Sequence, residues 1–202
     1  MPNRKRISIK IPKKLQNARL GAVFENCPIG QKLANKIGRW ICLNGVAAII
    51  IDYGYTGPKT LETLQAVKSH QTHNPLLEIG EADLTAHVDF SAISRAFTKG
   101  GAKVYGPKNQ GEFLLSLGIE TRIKKLLEGA NSKQAEILME GCQRLTSSSQ
   151  MGTLFKVIAV LPANHRVPAG YGGNSLFQKH LLTLHSPGAG FSPGLGKSRT
   201  CK

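Results

Sequence analysis

The chain has 202 residues, which is enough for one domain with short flanking segments. Hydrophobic residues make up 41% and charged residues 19%, so a packed core can form, while no apolar run is long enough to span a membrane. Of the net charge of +15, 12 charges come from residues 1–21 and 163–202. The nearly balanced middle is therefore not predicted to bind nucleic acid, and only weak contacts of the basic ends with polyanions are expected.

The four cysteines are scattered without a C-x-x-C pair, which is typical of free thiols in a reducing compartment. The amino terminus lacks the apolar stretch of a signal peptide, so secretion is not expected. This end is basic and free of acids, as mitochondrial presequences are, but it carries a single serine and a central Pro12, which argue against a transit peptide.

The first predicted helix begins at Pro28 and ends at Asn44-Gly45, which resembles a glycine helix end. Val46–Ile51 is a continuous apolar run, which predicts a strand buried on both faces of a parallel sheet. Residues 52–58 are predicted to form a loop, and 59–88 an irregular connection of a length typical of functional loops. The apolar face predicted for the helix consists of Ile29, Leu33, Ile37, Trp40 and Ile41.

Helices and short strands alternate over the rest of the middle segment. A helix capped by Asp89 is expected to end at Gly100-Gly101, and Asn109 with Glu112 predicts a capping box at the start of another. Helical periodicity also covers 119–128 and 132–145. The predicted strands are Val46–Ile51, Ala102–Tyr105 and Thr153–Leu161. This alternation indicates an α/β domain over 22–162, with a basic segment at 1–21 and a disordered tail rich in Gly, Pro and Ser at 163–202.

A polar cluster in residues 80–90 (GEADLTAHVDF) packs three carboxylates and a histidine into a short stretch after the first strand. In open α/β sheets, ligands bind beyond the carboxyl ends of the strands, so a catalytic site is expected here. The spacing matches no zinc or calcium pattern, and no metal is predicted. For Asp89 taken alone, a helix cap is the favoured interpretation. The candidate catalytic residues are Glu81, Asp83, His87 and Asp89.

The end of the first strand supplies candidates for substrate binding. Gly54 permits close approach of the backbone, and the flanking tyrosines offer aromatic faces with hydroxyl groups. Capping of the following loop is an equal interpretation for Asp52. No G-x-G-x-x-G turn follows a strand, so cofactor-binding residues cannot be named. The candidates in this segment are Asp52, Tyr53, Gly54 and Tyr55.

Five segments, in order along the chain, carry a specific resemblance to one family. They are Ala47–Tyr55 (AAIIIDYGY), Thr63–Lys68 (TLQAVK), Gly80–Phe90 (GEADLTAHVDF), Tyr105–Ile119 (YGPKNQGEFLLSLGI) and Met151–Val157 (MGTLFKV). Together they resemble the S-adenosylmethionine-dependent methyltransferases of the MidA type. The family pattern has Gly-Asp where this chain has Leu61-Glu62.

The resemblance implies the carboxyl-terminal part of a Rossmann-like class I methyltransferase sheet, with helices on both faces. Members of the family carry the glycine-rich cofactor turn in an amino-terminal half that this sequence does not match. The chain is therefore expected to be a fragment that does not bind S-adenosylmethionine alone. The other hypothesis is that a separate partner chain supplies that half and completes the enzyme.

The activity implied is protein arginine methylation linked to the assembly of respiratory complex I, with a protein substrate such as a complex I subunit. A carboxylate must then hold the guanidinium group, and the candidates are Glu81, Asp83 and Asp89, with an amide contact from Gln110. The alternative is a noncatalytic α/β module or remnant whose basic ends make weak polyanion or protein contacts. The expected compartment is the cytoplasm in bacteria or the mitochondrial matrix in eukaryotes.

Overall fold

A computed structural model of the protein describes residues 11–172. Parts of both predicted basic ends, residues 1–10 and 173–202, lie outside this range. After a short 3-10 helix (Lys13–Leu15), the elements in chain order are α1 (Pro28–Asn44), β1 (Ala48–Tyr55), β2 (Gln65–Lys68), β3 (Gln71–His73), β4 (Asp83–Thr85), β5 (Val88–Asp89), α2 (Phe90–Lys99), β6 (Lys103–Asn109), α3 (Gln110–Ser116), α4 (Ile119–Leu127), α5 (Ser132–Thr146), α6 (Met151–Leu154) and β7 (Phe155–Leu161).

The main sheet has the strand order β5-β1-β7-β6, and helices lie on both of its faces, as predicted for an α/β domain. β7 pairs antiparallel with β1 and with β6. β5 runs parallel to β1 and pairs with it only at the carboxyl end, through Gly54 with Val88 and Tyr55 with Asp89. The strands β3, β2 and β4 form a separate small antiparallel sheet in that order.

One face of the main sheet is covered by α1 and α2, and we call it the α1–α2 face. Ile158 and Val160 of β7 point to it, and both are fully buried against Ile41 of α1 and Phe97 of α2. The two helices approach closely at Gly38, where a Cβ atom would lie 2.6 Å from the carbonyl oxygen of Phe97. Because no larger residue fits there, the glycine sets the distance between the helices.

The opposite face of β7 carries Val157 and Ala159, since side chains alternate along a strand. Phe113 of α3 and Tyr171 cover the β6 side of this face, with their ring centroids 5.3 Å apart. The Lys108 ammonium donates a hydrogen bond to the Gly170 carbonyl oxygen at 2.7 Å. The sequence assigns residues 163–172 to the tail, but in the structure this segment packs on the sheet through the aromatic ring of Tyr171.

β1 differs from its prediction in burial and in pairing. Ile49 and Ile51, on the opposite face, are 55% and 47% exposed, so the strand is not buried on both faces. Its long pairing, with β7, is antiparallel rather than parallel. The strand also continues to Tyr55, where a loop was predicted. The apolar run indicated a strand correctly, but its composition carries no information about which neighbour covers each face.

The apolar face predicted for α1 is wrong in most positions. Ala34, Gly38 and Ile41 are buried, whereas Leu33 and Trp40 are 57% and 58% exposed. Small residues occupy the buried face because close packing of α1 against α2 excludes bulky side chains where the helices cross. The predicted ends of the helix are confirmed, and Gly45 ends it in the left-handed conformation with φ of 66°.

The remaining differences concern short elements. Residues 59–88, predicted to be irregular, contain the small sheet, and the predicted strand at Thr153 begins as helix α6. The Asn109 side chain does not cap α3; its amide instead donates to a Glu112 carboxylate oxygen at 2.8 Å. A capping box forms at Asn131 with Gln134, where none was predicted. Among the described residues, no helix has both the length and the apolar character to cross a membrane.

Candidate functional site

A pocket of about 500 Å³ lies at the carboxyl end of β1, where β5 pairs with it and where α1 and α2 begin. We call it the Glu25–Asp89 pocket. Its polar lining includes Glu25 and Cys27 before α1, Gln31 within it, Tyr55 at the end of β1, and His87 and Asp89 around β5. The pocket therefore occupies the position at which ligands bind in open α/β sheets.

The Glu25 carboxylate joins the start of α1 to the segment that leads into β2. One of its oxygens accepts hydrogen bonds from the backbone N–H groups of Thr63, at 2.7 Å, and Leu64, at 3.0 Å. Its other oxygen accepts from the Thr63 hydroxyl group. The same hydroxyl oxygen accepts from the His87 backbone N–H at 2.9 Å. Three distant segments of the pocket wall are thus fixed to one another.

Asp89 caps α2, as the sequence predicted. Its Oδ1 accepts from the backbone N–H groups of Ser91, at 3.0 Å, and Ala92, at 3.1 Å. These bonds hold the side chain in one orientation at the pocket wall and use only one of its two oxygens. Within residues 11–172 the structure gives Oδ2 no hydrogen-bond partner, so this oxygen can accept from a ligand.

Gly54 allows β5 to reach β1. A Cβ atom at this position would lie 2.2 Å from the Val88 carbonyl oxygen and 2.9 Å from the Phe90 ring, closer than any side chain can approach. The predicted close approach of the backbone at this glycine is therefore present, and it serves the contact between two strands. Gly57, just beyond, donates its N–H to the Ser91 hydroxyl oxygen at 2.7 Å.

Tyr55 is buried at the end of β1, and the charges of both pocket carboxylates act on its phenol. Burial raises its pKa from the ordinary 10.0, and the charges of Asp89 and then Glu25 raise the pKa further because they disfavour a phenolate. Nearby, the Tyr53 ring lies with its centroid 5.4 Å from that of His87 and 5.5 Å from that of Phe155. Both predicted tyrosines are therefore at the pocket or beside it.

The charge of the pocket is opposite to that of the chain. The chain has 27 lysines and arginines and only 12 acids, yet the lining contains Glu25 and Asp89 and neither a lysine nor an arginine. Two carboxylates in a partly enclosed space favour a cationic ligand. Among residues 11–172 no group of three or more His, Cys, Asp or Glu side chains is arranged to hold a metal ion.

The predicted site residues are only partly brought together. Tyr55, His87 and Asp89 line the pocket. Glu81 and Asp83 are exposed, in the turn before β4 and on β4 itself, and neither is part of the pocket lining. These two carboxylates stay candidates for contact with a substrate outside the pocket.

Two further candidates have local structural partners. Asp52 accepts from the backbone N–H of the adjacent Tyr53 at 2.8 Å. Gln110 is 5% exposed and donates its amide to the Leu145 carbonyl oxygen at 2.9 Å, which ties α3 to the end of α5. Gln110 is therefore positioned as a packing residue, away from the pocket lining.

Glu25 is the acidic pocket residue that the sequence did not predict. It is the only acidic residue before Asp52, and it stands three positions before Pro28, where α1 begins. A single carboxylate in a basic stretch beside a helix start was a usable signal. Its partners at positions 63 and 64 could not be found from spacing, because they are brought close only by the fold.

Comparison with known proteins places this chain in a family. Residues 2–108 match a family model described as "Putative S-adenosyl-L-methionine-dependent methyltransferase", and the matched region contains every residue of the pocket lining. The chain belongs to this family. The family resemblance inferred from the five sequence segments is thereby confirmed.

Curated relatives are protein arginine methyltransferases by name. The chain is 44% identical over 131 residues to the mitochondrial NDUFAF7 homolog of Drosophila melanogaster, covering 64% of this chain and 29% of the relative. It is 34% identical over 169 residues to NDUFAF7 of Homo sapiens, covering 83% of this chain and 37% of the relative. The chain thus spans about a third of the length of the curated relatives it matches.

A solved structure has the same fold over most of the described region. The protein, from Burkholderia thailandensis, was crystallised with S-adenosyl-homocysteine bound. It aligns with a TM-score of 0.60 and 29% identity, covering 69% of this chain and 38% of that protein. The expected fold, part of a methyltransferase sheet with helices on both faces, is therefore confirmed.

Proposed function

We propose that this chain is the acceptor-binding part of an S-adenosylmethionine-dependent protein arginine methyltransferase. The guanidinium group of the substrate arginine occupies the Glu25–Asp89 pocket. The observation that carries this proposal is the pair of carboxylates in a pocket without lysine or arginine, inside a strongly basic chain. Family membership and the names of the relatives supply the class of reaction.

The pocket suits a guanidinium better than an ammonium. Asp89 has a free Oδ2, and the Glu25 oxygen that accepts from the Thr63 hydroxyl retains a lone pair. A planar cation with several N–H donors can bond to both carboxylates at once, whereas an ammonium is a point charge with less directional demand. Methyl transfer to a guanidinium nitrogen requires the guanidinium to be held in one orientation, because the reacting atoms must be aligned.

The described residues do not offer a recognisable cradle for the cofactor. None of the turns from a strand into a helix among residues 11–172 is glycine-rich and open. At Gly111, the one glycine at the start of α3, neighbouring atoms already occupy the space beside the backbone. A Cβ atom there would lie 2.4 Å from the Thr146 carbonyl oxygen. We therefore assign this chain the positioning of the acceptor and derive no step that involves the methyl donor.

The test is binding of a small guanidinium probe, N-acetylarginine amide, to the full chain and to Asp89→Asn. The asparagine keeps an oxygen that can cap α2 but removes the charge, so the helix stays intact. We expect the affinity for the probe to fall by about tenfold, as for the loss of one charge-assisted contact. N-acetylcitrulline amide, which is neutral, should bind weakly to both proteins.

Asp83→Asn is the matched control, because it makes the same chemical change at an exposed carboxylate outside the pocket lining. A loss of affinity in Asp83→Asn with none in Asp89→Asn would transfer the acceptor role to β4 and refute the pocket assignment. Binding also has a spectroscopic signature: a cation between Glu25 and Asp89 should lower the raised pKa of Tyr55 toward 10.0.

We further propose a protein of respiratory complex I as the acceptor and the mitochondrial matrix as the compartment in a eukaryotic cell. The mitochondrial names of the relatives support the compartment, and the family resemblance supports the acceptor. Fractionation of cells that express the tagged full chain, with protease protection in isolated mitochondria, tests the compartment. Recovery in the cytosol alone would contradict it.

A further inference from the structure

The small sheet beside the pocket has a free edge. Its order is β3-β2-β4, so within the described part of the chain β4 has β2 as its single partner. The backbone groups on the outer side of β4 are thus available to pair with another extended strand. β4 is only three residues long, which limits the number of such bonds to a few.

This edge leads directly into the Glu25–Asp89 pocket. β4 ends at Thr85, and the next two residues, Ala86 and His87, already line the pocket. An extended chain advances about 3.3 Å per residue, so a segment paired with β4 reaches the pocket within a few residues. An arginine a few residues along such a segment is therefore within reach of the pocket.

The surface around this edge is acidic, in contrast to the rest of the molecule. Residues 61–89 contain five of the 12 acids in the chain but only one of the 27 lysines and arginines, Lys68. That lysine is paired with Glu78 at 3.0 Å, so these two charges offset each other and four acids are left in the segment. The five acids are Glu62, Glu78, Glu81, Asp83 and Asp89. A basic polypeptide is attracted to this surface, and a nucleic acid is repelled from it.

Apolar side chains accompany the charge. Leu76, Ile79 and Leu84 are 81%, 89% and 60% exposed. They belong to the small sheet and to the turn between β3 and β4. Large apolar side chains this exposed, on and just before an unpaired strand, are typical of a surface that another chain covers.

We propose that the outer edge of β4 is a docking strand for an extended, basic segment of the acceptor protein. The segment alternates lysine or arginine with apolar residues and places one arginine in the pocket. This inference rests on the proposed function, because it names the form in which the acceptor is presented. Glu81 and Asp83 are not part of the pocket lining, so they cannot hold the arginine that enters the pocket. In this arrangement they contact the residues that flank that arginine.

The test uses a labelled peptide in which lysine alternates with valine on both sides of one central arginine, and its counterpart with central citrulline. Binding to the full chain is followed by fluorescence anisotropy at two salt concentrations. The double variant Glu81→Lys with Asp83→Lys should lower the affinity for both peptides by about tenfold at low salt. The reason is that two exposed positions that attract the basic peptide would then repel it. The effect should shrink at high salt.

The matched control is Glu120→Lys with Glu136→Lys, which makes the same change of net charge at exposed positions on α4 and α5. It should leave the affinity within about twofold. Equal losses in both double variants would show that overall charge alone acts, and this would overturn the docking strand. No loss in either variant, or no binding of either peptide, would overturn it as well.

Two N-methylated peptides test the strand pairing itself. Methylation of alternate backbone nitrogens on one edge of the peptide removes the donors that face β4, while methylation on the other edge leaves them. One peptide should lose affinity by about fivefold or more and the other should not. Equal behaviour would refute pairing at the edge. If the arginine and citrulline peptides bind alike, the pocket assignment fails while the docking result stands on its own.

Discussion

The two faces of the main sheet differ in how completely they are covered. On the α1–α2 face, Ile158 and Val160 are fully buried beneath two helices, and Ile50 of β1 packs with them. On the opposite face, coverage is complete over Val157 of β7 but stops at β1, where Ile49 and Ile51 are about half exposed. Neighbouring residues of one strand thus lie in different environments.

This difference separates the parts that hold the fold together from the parts that meet other molecules. The α1–α2 face carries the core cluster of buried apolar residues, and burial of apolar area is the main favourable contribution to folding. The open part of the opposite face and the small sheet expose apolar side chains that contribute little to the stability of this chain. Five predictions test that division, and they are ordered by the size of the expected effect.

Gly54→Ala should have the largest effect, because its Cβ would overlap the Val88 carbonyl oxygen and the Phe90 ring. Both β5 and the core of the α1–α2 face must then shift, and we expect a loss of about 3 kcal/mol in the free energy of unfolding. Urea denaturation measures it. Gly141→Ala in α5, with no atom within 4 Å of the added carbon, should be neutral or slightly stabilising. Similar losses in both proteins would contradict the steric argument.

Ile50→Ala and Ile51→Ala compare the two faces directly, in one strand and with one chemical change. We expect the free energy of unfolding to fall by about 2 kcal/mol in Ile50→Ala, because Ile50 packs against the core. In Ile51→Ala it should fall by less than about 1 kcal/mol, because Ile51 is half exposed. Chemical denaturation of the two variants under the same conditions checks this. Equal losses would mean that the opposite face is covered at β1.

Asp89→Ala removes the cap of α2, the helix that covers much of the α1–α2 face. The free energy of unfolding is expected to fall by about 1 kcal/mol, because two backbone N–H groups lose their acceptor. Asp89→Asn should recover most of it, since the amide oxygen can accept the same bonds. A thermal melt of the three proteins would contradict this prediction if the asparagine variant were as unstable as the alanine variant.

Association should be a property of the open part of the opposite face. Exposed Ile49 and Ile51 lie on a strand whose edge is paired with β5 only at its carboxyl end, and such edges pair with other chains. Ile51→Ser should therefore reduce concentration-dependent association of the full chain in sedimentation velocity. Ile137→Ser on α5, at 60% exposure, is the control and should leave association unchanged.

The smallest effect is a pH dependence at Tyr55, whose pKa is raised above 10.0 by burial and by Asp89 and Glu25. Above the ordinary pKa the unfolded chain loses this proton while the folded chain keeps it. Stability from this group is therefore complete below pH 10 and decreases as the pH rises toward the folded pKa. Between these values the unfolding free energy should fall more steeply for the native chain than for Tyr55→Phe. Parallel pH profiles would contradict the shift.

The sequence predicted the elements whose signals are local. Pro28 and Gly45 mark the ends of α1, and Asp89 marks the start of α2, because caps act on the backbone within one turn. The strands of the small sheet have three or four residues and are specified by cross-strand partners, so no periodicity reveals them. The packing face of α1 depended on the neighbouring helix, which composition does not identify.

The candidate site was predicted in the same partial way. Tyr55, His87 and Asp89 were found because they lie near strand ends along the chain. Glu25 was missed because its hydrogen-bond partner Thr63 is 38 residues away, and only the folded chain brings them together. Glu81 was grouped with the pocket residues by closeness in sequence, although the intervening strand carries it away from them.

Thr63 gives the pocket a dynamic property that its static contacts do not describe. Its hydroxyl group holds Glu25 and the His87 backbone at once, so the walls contributed by the start of α1 and by the approach to β5 share one link. Neither wall can open without breaking a bond to the same oxygen. We therefore expect fluctuations of the two walls to be coupled, so the amide hydrogens of Thr63, Leu64 and His87 should be protected from exchange to a similar degree.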